Sequence, residues 1–411
     1  MPRTSRLALA GLLVLALVVP PAAAAAPGGG SSGAIRFATF NASLNRNNAG
    51  QALTDLSAPG NAQASNVAEI IQRIRPDVLL INEFDFYEDN ALAEAFQDNY
   101  LSIGQNGADP IDFPYLFVAE SNTGIPSGFD LNNNGVVAGP DDAFGFGFFP
   151  GQFGMAVFSR HPIDADAVRT FQHFLWKDMP GALLPDDPAT PAPADWYSPE
   201  ELAVFRLSSK SHWDVPIRVG KRVVHFLVSH PTPPVFDGPE DRNGTRNFDE
   251  IRFWADYLQP GPTSSYIYDD DGKRGGIRPG SLFVIAGDQN SDPLDGDSIP
   301  GAIQQLLEHR LVNTRLTPAS AGAVEAALLQ GGANTTHRSD PAFDTADFSD
   351  VAPGNLRADY VLPRKNMRMV DAAVFWPLQS DPLFRLTGVF PFPSSDHRLV
   401  WIDVTGAGTG R

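Results

Sequence analysis

The chain has 411 residues, contains no cysteine and carries a formal net charge of −18. Without cysteine it can have no disulfides, no thiolate metal ligands and no cysteine nucleophile. The negative charge argues against broad nonspecific binding of nucleic acid, although it does not exclude a nuclease whose cleft holds a divalent cation.

The beginning of the chain has the features of a secretory signal peptide. Arg3 and Arg6 precede an apolar run of thirteen residues over 7–19, and small residues follow this run. A run of this length is too short to cross a bilayer, which needs roughly 20 residues, so a cleaved signal is favoured over a membrane anchor. We expect residues 1–26 to be removed and the protein to be secreted or periplasmic, without stable membrane insertion and as a monomer.

After a flexible lead-in over 27–33, apolar periodicity predicts strands and helices in irregular order. Strands are predicted over 34–41, 78–82, 154–163, 281–290, 357–363 and 394–404, with several more within 202–231, and helices are predicted from 66 to Pro76, over 249–258 and over 301–311. Several strands follow one another directly, which favours mixed sheets with helices outside them. We therefore predict an α/β fold, a four-layer α/β sandwich in which two packed mixed β-sheets are flanked by helices.

The predicted elements belong to a single domain over 34–405. No linker after residue 33 separates two self-sufficient patterns, and no repeat at a fixed period is found. The loop-rich segments 104–152, 171–200 and 232–280 are interpreted as long insertions into this domain.

Polar residues that could carry chemistry stand at the ends of six predicted β-runs. They are Asn41, Glu83, His230, Asp288 with Asn290, Asp359, and Asp396 with His397. Taken alone, each is more often an ordinary turn residue. Because sites are commonly built from loops at one rim of a sheet, the whole set predicts a single functional site.

The set and its order resemble the endonuclease/exonuclease/phosphatase superfamily of metal-dependent phosphoesterases. The matching segments are FATFN, INEFD, VSHPTPP, AGDQN, RADYVL and SSDHRLV, in this order between residues 34 and 404. One segment alone would be a weak signal, whereas six in the same order are a specific one. The resemblance implies the sandwich fold and hydrolysis of a phosphoester with a divalent cation.

The cation is expected to be Mg²⁺, or Mn²⁺ in its place. Mg²⁺ prefers oxygen ligands and binds through one or two carboxylates. We expect Glu83 as its first ligand, Asn41 beside it, and Asp396 on the same ion or on a second one. Some family members carry aspartate two residues after the first-strand asparagine, where this chain has Ser43. That difference questions the number of metal ions rather than the activity.

The remaining members of the set are expected to carry the proton transfers and to bind the phosphate. The resemblance implies that Asp288 is the general base, with Asn290 orienting it and contacting the phosphate. It implies an imidazolium at His397 that faces the phosphoryl oxygens, held by Asp359. His230 is expected to donate to a phosphate oxygen or to the leaving group. An exchange of the roles of Asp288 and His397 stays open at this point.

A second metal site is predicted outside the set. Asp130, Asn132, Asn134 and Asp141 occupy positions 1, 3, 5 and 12 of a segment that resembles an EF-hand calcium loop, with Gly135 at position 6. The usual glutamate at position 12 is missing, and an asparagine- and aspartate-rich turn is the alternative. We expect a structural calcium ion here.

Two further segments allow simple expectations. Arg242 and Arg246 lie close together after His230 and could bind substrate phosphate, although pairing with nearby carboxylates is the more frequent role of such residues. The aromatic residues within 143–153 are interpreted as packing for a long loop.

The sequence as a whole predicts a secreted phosphoesterase that cleaves a phosphomonoester or a phosphodiester. The net charge of −18 and the lack of a basic stripe favour a small or lipid-like substrate over long DNA. An extracellular nuclease is the first alternative, so the substrate stays open between a small molecule, a lipid headgroup and nucleic acid. A non-catalytic secreted binding protein of the same fold is the second alternative.

Overall fold

The computed structural model describes residues 33–406. The predicted signal peptide, and the lead-in except for residue 33, lie outside the described residues. Within 33–406, no helix has the length and apolarity needed to cross a bilayer.

The described chain contains thirteen strands and eight α-helices. The strands are β1 (Ile35–Asn41), β2 (Val78–Asn82), β3 (Tyr115–Phe117), β4 (Met155–Ser159), β5 (Arg169–Thr170), β6 (His212–Val219), β7 (Arg222–Ser229), β8 (Leu282–Asp288), β9 (Ala346–Asp347), β10 (Asn355–Leu356), β11 (Asp359–Pro363), β12 (Arg368–Val374) and β13 (Val400–Thr405). The helices are α1 (Gln51–Leu56), α2 (Ala62–Ile74), α3 (Ala91–Phe96), α4 (Pro199–Leu202), α5 (Arg242–Tyr257), α6 (Gln304–Leu307), α7 (Ala321–Gln330) and α8 (Phe384–Thr387).

Two large mixed sheets organise these elements. The first has the strand order β12-β13-β1-β2-β4-β3 and the second has the order β11-β8-β7-β6-β5. In each sheet one central pair is parallel, β1 with β2 and β7 with β8, and the other neighbours are antiparallel. Strands β9 and β10 form a separate short ribbon.

The two sheets pack against each other through alternate residues of their strands. The ring centroids of Phe37 on β1 and Phe226 on β7 lie 5.7 Å apart in the core between the sheets. Because side chains alternate along a strand, Phe40 and Leu227 point to the outer faces. There Phe40 packs in a cluster with Ile70 of α2, and Leu227 packs in a cluster with residues of α5 and α6. These four layers confirm the predicted sandwich.

Some elements differ from their predicted bounds. Helix α5 begins at Arg242 rather than at residue 249 and lies within the segment 232–280. Its first turns carry buried polar side chains, so apolar periodicity could not mark where the helix begins. Residues 203–211, predicted as strand, do not join a sheet; Phe205 and Leu207 there pack in the cluster with α5 instead.

Candidate active site

The polar strand ends identified in the sequence meet at one rim of the sandwich. Strands β1 and β2 run parallel, with Asn41 opposite Asn82, and β11 and β13 run antiparallel to β8 and β1, which brings the residues before them to the same rim. The rim collects Asn41, Glu83, His230, Asp288, Asn290, Asp359, Asp396 and His397. The structure therefore brings together the whole predicted set.

A close approach of two strand ends explains the glycine of the Gly-Asp pair on β8. Gly287 has φ +143°, and a Cβ atom there would lie 2.0 Å from the carbonyl oxygen of Ser229 at the end of β7. Only glycine avoids this clash. Asp288 and the residue after Ser229, His230, thereby come together, with 3.4 Å between Asp288 Oδ2 and His230 Nε2.

Asp288 lies at the centre of the rim and is fully buried. Its Oδ1 accepts the backbone N–H of Asn290 at 2.9 Å, and its Oδ2 accepts the side-chain N–H of Asn41 at 3.1 Å. Burial raises the pKa of Asp288 to about 7, with His397 opposing the rise and Asp359 adding to it. A carboxylate with a pKa near neutrality is suited to take a proton from water.

His397 is held by Asp359 on the other side of the rim. The Nδ1 atom of His397 lies 2.8 Å from Asp359 Oδ2, and Nε2 lies 3.6 Å from Asp288 Oδ2. Burial alone would lower the pKa of His397, but Asp359 and Asp288 outweigh it and hold this pKa well above its usual range. The two carboxylates thus favour the charged form of His397, which favours Asp288 over His397 as the base.

Asp359 is itself oriented by a residue that sequence reasoning missed. The hydroxyl of Thr345 donates to Asp359 Oδ2 at 2.8 Å, and its oxygen accepts the backbone N–H groups of Ala358 and Asp359. Thr345 precedes β9, far from any motif. Only the fold reveals that it fixes the partner of His397.

Glu83, Asp396 and Asn41 have the chemistry of a site for a hard divalent cation. Burial and the charge of Asp396 raise the pKa of Glu83, so two carboxylates repel each other here. Asn41 donates to Glu83 Oε1 at 3.0 Å, and the Ser43 hydroxyl donates to Asp396 Oδ1 at 3.3 Å. The backbone of Glu83 is in the left-handed region, with a φ of +56°. Strained backbone conformations of this kind are frequent at functional sites. The residues present fit Mg²⁺ or Mn²⁺.

A second group of ligand atoms is also close enough to hold a cation. Atoms of Asp288, Asp359 and His397 lie within 4.8 Å of one another. Asp359 lies 2.8 Å from Nδ1 of His397 and favours the charged form of this imidazole, in which neither ring nitrogen can bind a cation. Glu83, Asn41 and Asp396 are the other residues at this rim that could hold a cation.

His230 is a neutral imidazole at this rim. Burial, together with the positive charges of Lys210 and His397, lowers the pKa of His230 well below its usual range. Its Nδ1 is buried without a hydrogen-bond partner in the described structure. Asn290 lies beside it, because the amide of Asn290 donates to the carbonyl of Pro231 at 3.1 Å.

Lys210 is a second residue that the sequence did not identify. It lies two residues before β6 and is only 7% exposed, and its ammonium group makes no hydrogen bond or ion pair within 33–406. Burial lowers the pKa of Lys210, whereas Glu250, Glu83 and Asp288 oppose this effect. A lysine buried beside carboxylates without a direct partner is a candidate for binding an anion. Nothing in the segment SSKS distinguishes it from an ordinary loop.

The predicted calcium loop is closed by its own side chains. Asp130 accepts the backbone N–H groups of Asn134 and Gly135, at 3.0 and 2.6 Å. Asp142 accepts those of Leu131 and Ala138, whereas Asp141 is exposed. Calcium binding by Asp130, Asn132, Asn134 and Asp141 stays a prediction.

The two arginines proposed to bind substrate have other partners. Arg246 is buried and donates to the carbonyl oxygens of Leu207, Phe144 and Arg206. Arg242 forms an ion pair with Glu240. These contacts use the guanidinium groups within the protein, and phosphate binding by Arg242 and Arg246 stays a prediction.

Comparisons with known proteins show a similarity at the level of the family. The model of the Endonuclease/Exonuclease/phosphatase family matches residues 38–397. A search of curated proteins found no significant match.

The chain is similar to several solved structures at low sequence identity. An endonuclease/exonuclease/phosphatase from Beutenbergia cavernae has 17% identity, with 91% of this chain and 72% of that chain covered and a TM-score of 0.47. A family protein from Leptotrichia buccalis has 14% identity, coverage of 90% and 99%, and a TM-score of 0.44. Beta toxin from Staphylococcus aureus has 13% identity, coverage of 90% and 99%, and a TM-score of 0.41. Similarity at this level says nothing about substrate.

Proposed function

The chain belongs to the endonuclease/exonuclease/phosphatase family, and on this premise we propose that it is a secreted, Mg²⁺- or Mn²⁺-dependent phosphoesterase for small or lipid-like phosphoesters. The observation that carries the proposal is the buried group at the rim, in which Asp288 lies 3.4 Å from His230 and 3.6 Å from His397, whose charged form Asp359 favours. A base and an imidazolium side by side are what hydrolysis of a phosphoester requires.

In the proposed reaction, each residue at the rim has a separate role. Water forms the new P–O bond and passes its proton to Asp288, while the opposite ester P–O bond breaks and its electron pair goes to the leaving oxygen, which takes a proton from solvent and departs as the alcohol. His397 stabilises the charge on the phosphoryl oxygens, and neutral His230 donates to the phosphate or to the leaving group. Glu83, Asn41 and Asp396 would hold the cation, which neutralises substrate charge when bound.

The cellular location and the second cation belong to the proposal as well. Secretion is supported by Arg3, Arg6 and the apolar run over 7–19. A calcium ion at Asp130, Asn132, Asn134 and Asp141 would stabilise the loop in which these residues lie.

The proposed activity is tested by hydrolysis of a small set of substrates. A nitrophenyl monoester, a nitrophenyl diester, sphingomyelin and plasmid DNA are incubated with Mg²⁺, Mn²⁺ or Ca²⁺. We expect cation-dependent cleavage of an ester other than plasmid DNA. Cleavage of plasmid DNA alone would support the nuclease, and no cleavage of any substrate would support a binding protein.

The dependence of the rate on pH should have two limbs. Asp288 acts as a carboxylate, so kcat/KM should rise as pH increases through its pKa, which burial raises to about 7. A nearby cation favours the charged form and would therefore move this limb to lower pH. His397 acts as an imidazolium with a raised pKa, so the rate falls only at alkaline pH. Asp359→Asn removes the charge that raises the pKa of His397, and the alkaline limb should move about 1–3 pH units lower.

The matched control is Asp371→Asn on β12, which removes an exposed carboxylate. Asp371→Asn should shift neither the acid limb nor the alkaline limb of the dependence of the rate on pH. If Asp359→Asn lowers the rate equally at every pH, Asp359 does not act through the charge of His397.

Lys210 should contribute positive charge to substrate binding. Lys210→Met keeps the length of the side chain but removes the ammonium, and we expect kcat/KM to fall by about 10–1,000-fold, the range for loss of one stabilising group. Thermal melting checks that the variant is still folded at the temperature of the assay. Lys221→Met, at the exposed turn between β6 and β7, is the control. Unchanged kcat/KM in Lys210→Met would exclude this role.

A further inference from the structure

The loop between β3 and β4 begins and ends at the rim of the candidate site. On β4, Met155 pairs with Asn82, the residue before Glu83, and Val157 pairs with Phe117, the last residue of β3. The long loop over 118–154 therefore leaves and re-enters the sheet at the edge where Glu83 lies.

Hydrogen bonds fasten this loop to the segments that follow β1 and β2. The amide of Gln152 donates to the carbonyl of Arg46 at 2.7 Å and accepts the N–H of Phe148 at 2.8 Å. Asp85, two residues after Glu83, accepts the N–H groups of Arg46 and Phe153. The tip of the loop is thus held in place beside the site.

Two glycines allow close backbone approaches, one to Ser209 and one within the loop itself, and two phenyl rings beside them stay outside. A Cβ atom at Gly145 would lie 1.8 Å from the carbonyl oxygen of Ser209, the residue before Lys210. A Cβ atom at Gly147 would lie 2.7 Å from the backbone nitrogen of Gly124. The alternating residues Phe146 and Phe148 project outward, 49% and 65% exposed, with their ring centroids 5.6 Å apart.

This arrangement corrects the interpretation of the aromatic residues as loop packing. Phe144 is buried and packs as expected, but Phe146 and Phe148 do not. A backbone fastened next to Ser209, the residue before Lys210, holds these two rings in solvent, where they present an apolar surface. The ring of Phe348 lies 5.3 Å from that of His397.

We propose that Phe146 and Phe148 form an apolar subsite for one organic substituent of the substrate. The substrate class is then a soluble phosphoester that carries an aryl or alkyl group, whose phosphate lies at Asp288 and Lys210 while the apolar group covers the two rings. Two rings offer enough surface for one such group, and their edge-to-face arrangement suits contact with an aromatic ring. The inference rests on the proposed function, whose site it extends.

The test compares two ligands that cannot be hydrolysed, methylphosphonate and phenylphosphonate, by calorimetry with Mg²⁺. The protein should bind phenylphosphonate about tenfold more tightly, the effect of burying part of a ring. In the double variant Phe146→Ala/Phe148→Ala this preference should fall to less than about twofold, with the affinity for methylphosphonate unchanged. Both side chains are exposed, so the thermal melting temperature should not change.

The matched control removes two exposed leucines from α7, in Leu328→Ala/Leu329→Ala, which are 78% and 62% exposed. This variant should keep the preference. A protein that does not distinguish the phosphonates, or a double phenylalanine variant that keeps the preference, would overturn the inference. The inference would also be overturned if the double phenylalanine variant lost only its binding to phosphatidylcholine vesicles, because the partner of the two rings would then be a bilayer.

Failure of the proposed function gives a different result. If the protein prefers phenylphosphonate through Phe146 and Phe148 but hydrolyses no ester, the subsite is supported and the proposed phosphoesterase activity is contradicted. If the unmodified protein and the double phenylalanine variant both hydrolyse the methyl and phenyl esters of nitrophenyl phosphate at equal rates, the activity is supported and the subsite is contradicted.

Discussion

Asp288→Asn is expected to lower kcat/KM by about 10²–10⁴-fold, the contribution of a general base. Asparagine has the shape of aspartate but cannot take a proton from the attacking water. Its carbonyl oxygen can still accept the N–H of Asn290, which Asp288 accepts at 2.9 Å. The loop should therefore keep its conformation, and the loss should be in kcat rather than in folding. Steady-state kinetics and thermal melting separate the two effects.

Asp292→Asn is the matched control in the same loop. Asp292 is buried and accepts the backbone N–H groups of Leu294, Asp295 and Arg357, so it holds the loop together without facing the cleft chemistry. Its replacement should cost about 1–3 kcal/mol of stability through weakened hydrogen bonds and leave kcat within a few-fold. If Asp288→Asn retained the rate of the unmodified protein, the base would have to be another group.

The acid limb provides an independent check on the same residue. Burial raises the pKa of Asp288 to about 7, so the limb should report its ionisation and should disappear in Asp288→Asn. A limb that survives the substitution belongs to a different group. The kinetic loss and the lost limb together would identify the base, whereas either alone would not.

The sequence was most informative where a buried strand ends in a polar residue. The apolar run of β8 stops at Gly287 and Asp288, and the run of β2 stops before Glu83, so both rim positions could be predicted. Continuous apolar runs mark strands buried on both faces, as both strands are here. The sandwich could be predicted for the same reason.

Residues that act through tertiary contacts could not be predicted. Lys210 reaches the carboxylates because the strand that follows it, β6, lies beside β7, and Thr345 reaches Asp359 from a distant loop. Strand β12 was missed because a shift in pairing between Met369 and Asp371 breaks the alternation of its side chains. The exposure of Phe146 and Phe148 depends on how closely Gly145 and Gly147 approach other backbone segments, which no local pattern records.

Glu83→Gln should abolish the response of the protein to Mg²⁺ and should stabilise the cation-free form. In the unmodified protein, Mg²⁺ at 100 times its Kd is expected to add about 2.7 kcal/mol of stability by mass action. Glutamine removes one of the two carboxylates that hold the ion, so this gain should fall below about 1 kcal/mol at the same concentration. Melting curves with and without Mg²⁺ measure both quantities.

The sign of the effect without Mg²⁺ follows from the pKa of Glu83. Burial and Asp396 raise this pKa, so folding disfavours the charged form, and the folded protein loses stability as pH rises above the unfolded value. Glutamine carries no charge, so the variant should melt at a higher temperature than the unmodified protein at neutral pH in a chelator. With saturating Mg²⁺ the order should reverse. Glu94→Gln, an exposed position on α3, should change neither curve, and an equal Mg²⁺ response in Glu83→Gln and the unmodified protein would move the cation to other ligands.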